Sequence, residues 1–407
     1  MQQSAGWETV VQQGFRARGV STSLFRCDFL DRVELPVYRV ELNQEERGAA
    51  GPLLRTWGKG LTCGRARIGA LAEAVERFAA GATPKEPPVR AAYQELGDDA
   101  LNPETLLPSY RSLIPADRQP HYHPQQPITW VWGESIPEGR AILLPAVAVR
   151  LQPAGTDGLI VATSSGLAAG ECLVSATLHA LCELVERDAT MIVMRNRLVR
   201  DDVSLEMLPE AVCRGFDRAG LELRLKDLTT DIRIATVAAI ASDPQQRYPS
   251  HTYGFGTHPD PRVACLRAAT EAAQSRVVHR YYAMRFRTVS FPQPEQRRKI
   301  FAHLLEPGQR VLGAADLPEI QAPSRETLLD GCLAELRRAE PDLPMYRALL
   351  DLPEFPWRVV RLLIPGLVPP QANFPLVMPR LLDVPQRLEL RPRPVRAEEL
   401  WSGTWPH

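Results

Sequence analysis

No apolar run in this chain is long enough to cross a bilayer. The longest, such as Ala141–Val149, falls far short of the roughly 20 residues a spanning helix needs. The opening stretch from Met1 to Phe15 has neither the basic start nor the apolar run of a secretory signal. Charge of one sign is also missing: 48 basic residues balance 48 acidic ones. That balance argues against a nucleic-acid surface, which needs a basic excess. The cysteines (Cys27, Cys63, Cys172, Cys182, Cys213, Cys265 and Cys332) are odd in number and form no CxxC pair, so reduced thiols in a cytoplasmic protein are expected. The segment His121-Tyr122-His123 lacks further ligands at zinc spacing and sits among Pro and Gln, so it predicts no metal centre. Three nucleotide and nucleophile signatures are absent. Gly51 to Lys59 has the wrong spacing for a P-loop, and Gly60 follows where Ser or Thr is required. There is no GxSxG elbow, and no GxGxxG follows a strand.

What is present is a 407-residue chain with 44% apolar residues, enough for a large core. Strands are expected at 35–42, 128–136, 141–149, 221–229, 232–242 and 359–367, from alternation and β-branched content. Helices are expected at 65–80, from about 171 to 197, at 260–284 and at 325–340. From Leu352 onward there are 11 prolines, which predicts a loop or tail packed over the core after the strand at 359–367. The domain reading is 1–350 for the main body, with its motifs at about 50–290, and 351–407 for a strand plus proline-rich tail.

One arrangement occurs three times. Gly58-Lys59-Gly60 precedes a helix with Glu73, Glu76 and Arg77. Gly166 to Gly170 precedes one with Glu183, Glu186 and Arg187, and Gly254-Phe255-Gly256 one with Glu271, Gln274 and Arg276. The last glycine and first acid are 13, 13 and 15 residues apart. A spacing of three puts each pair on one helix face. Five carboxylates and an amide brought into one cavity cannot all ionise unpaired. Divalent cations resolve this, and an oxygen-only donor set suits magnesium. Magnesium in turn suggests a phosphate-bearing substrate, with the glycines expected to bring backbone N–H groups close to phosphate. The expected fold is α/β, with antiparallel-rich sheets flanking three motif helices and a twofold-like internal duplication.

This ordered set, from about residue 25 to 290, resembles the YcaO superfamily. The resemblance implies an ATP- and magnesium-dependent enzyme that phosphorylates a peptide backbone amide oxygen, giving an azoline, a thioamide or an amidine. On that basis Glu73, Glu76, Glu183, Glu186 and Glu271 are expected at magnesium. Lys59, Gly60, Ser165, Arg77, Arg187, Gln274 and Arg276 are expected at the nucleotide. Glu73, Glu186, Arg187 and Gln274 are the candidate catalytic residues. His258 is a candidate base, with loop packing the commoner role for such a histidine. The resemblance also implies a homodimer and a precursor-peptide substrate.

Two departures stand out. The family usually has Ser four residues before the first Glu, where this chain has Gly69. That leaves a degenerate nucleotide-binding scaffold as the alternative reading. Azoline-forming members often end in PxPxP, whereas this chain has only Pro392-Arg393-Pro394 and thirteen residues more. Together with Arg358–Leu367, which resembles the late strand of TfuA-associated members, this favours a TfuA-associated thioamide former or a stand-alone member. With no winged-helix leader-binding module seen in the sequence, peptide delivery is expected to use a TfuA-like or leader-peptide-binding partner, or direct recognition of the core peptide.

Overall fold

Three long helices each follow a strand that ends a sheet. The computed structural model describes residues 2–44, 54–82, 88–107, 122–136, 138–151, 163–285, 294–370 and 377–401. The first sheet has the order β1-β2-β3, with β1 at Val20–Arg26, β2 at Val37–Gln44 and β3 at Leu54–Lys59. The second runs β4 (Val89–Ala92), β5 (Pro127–Ser135), β13 (Tyr346–Leu349), β14 (Arg358–Leu363), β7 (Leu167–Gly170), with β6 (Arg140–Pro145) also paired to β5. The third runs β11 (His251–Thr257), β10 (Thr236–Ser242), β9 (Glu222–Asp227), β8 (Asp202–Val203), β12 (Val311–Leu312). Among the described strands only β12 and β8 pair in parallel.

The helices are α1 (Gln2–Ala17), α2 (Cys63–Gly81), α3 (Leu173–Arg195), α4 (Glu210–Arg218), α5 (Pro261–Arg285), α6 (Pro294–Leu305), α7 (Arg325–Ala339) and α8 (Pro379–Arg387). Their starts are set locally. The Thr62 hydroxyl accepts the Arg65 N–H at 3.3 Å to begin α2. Asp260 Oδ1 accepts the Arg262 N–H at 2.8 Å to begin α5.

β3 leads into α2, β7 into α3 and β11 into α5. Each helix packs on its own strand and on the next unit's strand: α2 on β7, α3 on β11, and α5 back on β3. The sequence suggests a twofold-like duplication; the structure closes three units into a ring. The glycines make this possible. A Cβ on Gly58 would stand 2.1 Å from the Ala66 oxygen, and one on Gly254 2.2 Å from the Ala268 oxygen. A Cβ on Gly170 would stand 2.4 Å from the Ala176 nitrogen. The helix faces that meet them carry alanine, so backbone lies on backbone. This corrects the expectation of phosphate-cradling turns: Gly58, Gly170, Gly254 and Gly256 are strand residues pressed against helices.

Other boundaries moved for physical reasons. The strand expected at 141–149 stops at Pro145, and Ala146–Val149 forms a helical turn. The strand expected to start at 232 starts at Thr236, while Ile232 and Ile234 are buried with α3 and α7. The long helix ends at Arg195 because Arg197 takes φ 48°. The proline-rich tail contains α8, absent from the sequence reading, with Pro379 in its first turn. Arg380 ties α8 down through Asp188 (2.7 and 2.9 Å), Asp231 (2.8 and 3.2 Å) and Glu340 (2.7 Å). The Trp401 carbonyl accepts from Arg195 at 2.7 Å. The tail therefore packs over the core as far as Trp401, and the residues after it lie outside the described set.

Gly254→Ala is expected to destabilise the protein by about 1–3 kcal/mol or more, since backbone must move to admit a Cβ. Gly69→Ala is expected to stabilise by about 0.5–1 kcal/mol, because its Cβ meets nothing closer than 3.8 Å and the site is helical. Urea unfolding of the two variants checks the opposite signs; equal signs would contradict the packing described.

Candidate active site

The ring turns one stripe of each motif helix toward the others. On α2 the stripe is Gly69, Glu73, Glu76; on α3 it is His179, Glu183, Glu186; on α5 it is Arg267, Glu271, Gln274. The first acids of α2 and α5 are anchored to the strands beneath. Glu73 Oε2 accepts the Trp57 N–H at 3.1 Å, and Glu271 accepts the Phe255 N–H. These side chains are walled in by protein yet keep an open face: the Glu73 side chain is 28% exposed and that of Glu271 32%. They line a recess rather than a surface patch.

Protein cations hold several of the acids. Arg77 pairs with Glu73 at 2.5 Å, Arg187 with Glu183 at 3.5 Å, and Lys59 Nζ with Glu271 Oε2. Burial opposes ionisation of Glu271, but Lys59 and Arg187 overcome it and hold its carboxyl below the usual range. Glu76 and Glu186 have no ion pair among the described residues. Burial, with Glu183 and Glu73 nearby, pushes Glu76 well up. Burial, with Glu271 nearby, pushes Glu186 up to about 7. Burial also raises Glu73, against Arg77 and the Trp57 N–H.

Two further observations bear on what the recess can hold. Arg77 Nε and Arg187 Nε are buried with no hydrogen-bond partner. The Gln274 side chain, one turn beyond Glu271, makes no hydrogen bond among the described residues. Buried acids short of positive charge, beside orphaned guanidinium donors, fit a divalent cation and phosphate oxygens together. No three ligating side chains among the described residues converge on one point.

Some expected residues are elsewhere. Arg276 is fully buried, donating to Asp31 at 2.8 Å and to the Pro249 carbonyl at 3.0 Å, so it braces α5 and does not face the recess. Gly60 gives its N–H to the Pro36 carbonyl at 3.3 Å, which removes it as a phosphate donor. Ser165 sits at the rim by Leu184, its carbonyl accepting from Arg361 at 2.6 Å. His258 Nδ1 accepts the Asp260 N–H at 2.9 Å, the loop-packing role, and burial with Arg267 pushes its pKa down to about 4. His121 lies outside the described residues, while His123 accepts the Gln125 N–H in a turn.

Three residues escaped the sequence reading. Arg361 is buried behind the Thr163–Ser165 turn and acts electrostatically on Glu76. Arg267 acts on Glu186, His179 and His258. Arg267 and His179 each precede their helix's first acid by four residues, which is the signal that would have found them. A separate cavity of about 390 Å³ lies on the second sheet between Trp130–Glu134 and Arg347–Leu352, without a comparable cluster of acids. We place the site at the acids because chemistry, not volume, distinguishes them.

Glu186 gives a pH test. Its folded pKa is raised, so the folded protein binds the extra proton and stability falls as pH rises from the ordinary Glu range through about 7. Glu186→Gln is expected to remove up to about 3 kcal/mol of that loss above neutrality without magnesium. Denaturant melts of both proteins across this range check it; parallel pH curves would contradict the assignment.

Comparison with known proteins agrees with this geometry. The profile of a family described as YcaO cyclodehydratase, ATP- and Mg2+-binding, matches residues 57–368. An uncharacterized protein of Methanothermobacter thermautotrophicus is 30% identical over 359 residues, covering 85% of this chain and 89% of the relative. An uncharacterized protein in the tfuA 3' region of Rhizobium leguminosarum bv. trifolii is 39% identical over 170 residues, covering 37% of this chain and 40% of the relative. A structure of YcaO from Methanopyrus kandleri bound with AMPPCP and Mg2+ superposes with TM-score 0.69 at 26% identity, covering 90% of both chains. A heterocyclase in complex with substrate and cofactor shares the fold, with TM-score 0.80 at 24% identity over 98% of this chain. This chain spans only 57% of that heterocyclase. The matched length, the three motif helices and the recess they enclose lead to one conclusion: the chain belongs to the YcaO family of ATP- and Mg2+-binding cyclodehydratases.

Proposed function

We propose that this chain activates a backbone amide of a ribosomally made peptide by phosphorylating its oxygen, and that the product is a thioamide made with a TfuA-type partner. The observation that carries the first part is the recess itself: Glu76 half-buried and Glu186 buried, neither with an ion pair among the described residues, beside the orphaned Nε donors of Arg77 and Arg187. Glu73, Glu76, Glu183, Glu186 and Glu271 would hold magnesium, directly or through water. Lys59, Arg77, Arg187 and Gln274 would meet the phosphates. ATP supplies the phosphoryl group that turns the amide oxygen into a leaving group, and magnesium neutralises the charge that gathers there. The chain's own task is positioning and charge stabilisation, which dominate phosphoryl transfer.

The choice of product rests on two supports. The Rhizobium relative is encoded beside tfuA. The Pro392–Pro394 segment packs at the end of α3, beside Asn196, ten residues or about 15 Å along the helix from Glu186. A PxPxP terminus reaching the recess, the azoline-former's device, is not what this segment builds. The scaffold reading is the alternative and rests on the hydroxyl missing at Gly69, while the five acids, Gln274 and the three arginines are retained.

Calorimetric titration of ATP with magnesium is expected to give binding that Glu183→Ala abolishes. Co-expression with a TfuA protein and the peptides encoded nearby is expected to give a peptide whose mass change matches exchange of one oxygen for sulfur. Loss of one water would indicate an azoline instead. Nucleotide binding indifferent to Glu183 would overturn the site.

A further inference from the structure

One turn before the acids, the three stripes carry Gly69, His179 and Arg267. Gly69 brings no side chain to this layer, and an added Cβ would rest in ordinary contact on Gly58 and Lys59 at 3.8–4.0 Å. His179 is exposed, and its Nδ1 lies 3.0 Å from the Ala169 carbonyl. A carbonyl only accepts, so Nδ1 carries the proton and Nε2 keeps its lone pair. His258 has the opposite tautomer. Its Nδ1 accepts the Asp260 N–H, which leaves Nε2–H as a donor.

The geometry points to His179 Nε2 as the proton acceptor for the nucleophile that attacks the substrate's amide carbon, one turn along α3 from Glu183 and beside Arg267. This rests on the peptide-amide reading above and adds to it the group that handles the proton. In the step, the S–H, O–H or N–H bond of the nucleophile breaks and its electron pair bonds to the amide carbon. The proton goes to His179 Nε2. The carbonyl π pair moves to oxygen, which would accept the phosphoryl group of bound ATP with ADP as the leaving group, and the C–O bond then breaks to release phosphate.

The surroundings suit a base. Arg267 on α5, Arg325 at the start of α7, Glu171 before α3 and His258 in the β11–α5 turn all act on the ring or share its neighbours. Although His179 keeps an exposed face, the protein packed around its ring, then Arg267 and Arg325, lower its pKa against the pull of the Ala169 bond and Glu171. The ring is therefore neutral at physiological pH and able to accept.

Two variants separate this role from a structural one. His179→Asn keeps an N–H for Ala169 and removes the Nε2 lone pair; His179→Gln places an amide where Nε2 was. With the peptide that wild type modifies in co-expression, we expect His179→Asn to slow modification by about 10²–10⁴-fold. Its Mg·ATP affinity should stay within about twofold of wild type, since the acids one turn below still hold the nucleotide. The acidic limb of the wild-type kcat/KM profile should disappear. Modification at the wild-type rate in both variants would overturn the proposal while leaving the amide reading intact. No modified peptide with the wild type would overturn both. If the variants fail to fold, diethyl pyrocarbonate on the wild type decides: labelling of His179 is expected to stop peptide modification in step. Labelling without that loss, or no labelling at His179, overturns the proposal.

Discussion

The structure depends on helix backbone lying directly on strand backbone. Gly58, Gly170 and Gly254 each stand where any side chain would collide with the helix that follows. The alanine-rich faces of α2 and α5 meet them with equally little bulk. Close approach does more than pack a core. It brings the first acid of α2 and of α5 within reach of a strand N–H, Trp57 for Glu73 and Phe255 for Glu271. Each acid is then fixed at both ends, by its helix and by the strand below. Because each helix also leans on the next strand, the ring closes and three stripes share one recess.

That closure has an electrostatic cost which defines the chemistry. Burial alone would keep these carboxyls protonated. Lys59 and Arg187 hold Glu271 low, while Glu73, Glu76 and Glu186 are raised. A recess in this state is primed for added positive charge and for anionic oxygen together. The cations that pair with the acids are also the groups that would meet phosphate, so binding magnesium and nucleotide exchanges one set of ion pairs for another.

Much of this was legible in the sequence. The repeated Glu-x-x-(Glu or Gln) spacing put each pair on one face of its helix, because helix periodicity is local. The meaning of the glycines was not legible. A glycine before a helix reads equally as a turn for phosphate or as a strand residue under a helix, and only the tertiary packing of Gly254 on Ala268 decides. Arg276 misled for a related reason. It follows Gln274 by two residues, which turns it to the opposite side of α5, toward Asp31. His179 and Arg267 stand where Gly69 stands on α2, four residues before the first acid, and a single histidine or arginine on a helix reads equally as a solvent-facing residue. The helix at Pro379–Arg387 was hidden by proline content, yet Pro379 occupies a first-turn position where proline costs little.

The central claim is that three glycine-packed strand–helix units assemble one nucleotide site. A crystal structure with manganese and a non-hydrolysable ATP analogue, read by anomalous scattering, tests it most directly. The account predicts manganese peaks among Glu73, Glu76, Glu183, Glu186 and Glu271, with the phosphates beside Arg77 and Arg187. Manganese or nucleotide in the cavity between Trp130–Glu134 and Arg347–Leu352, with the recess empty, would contradict it.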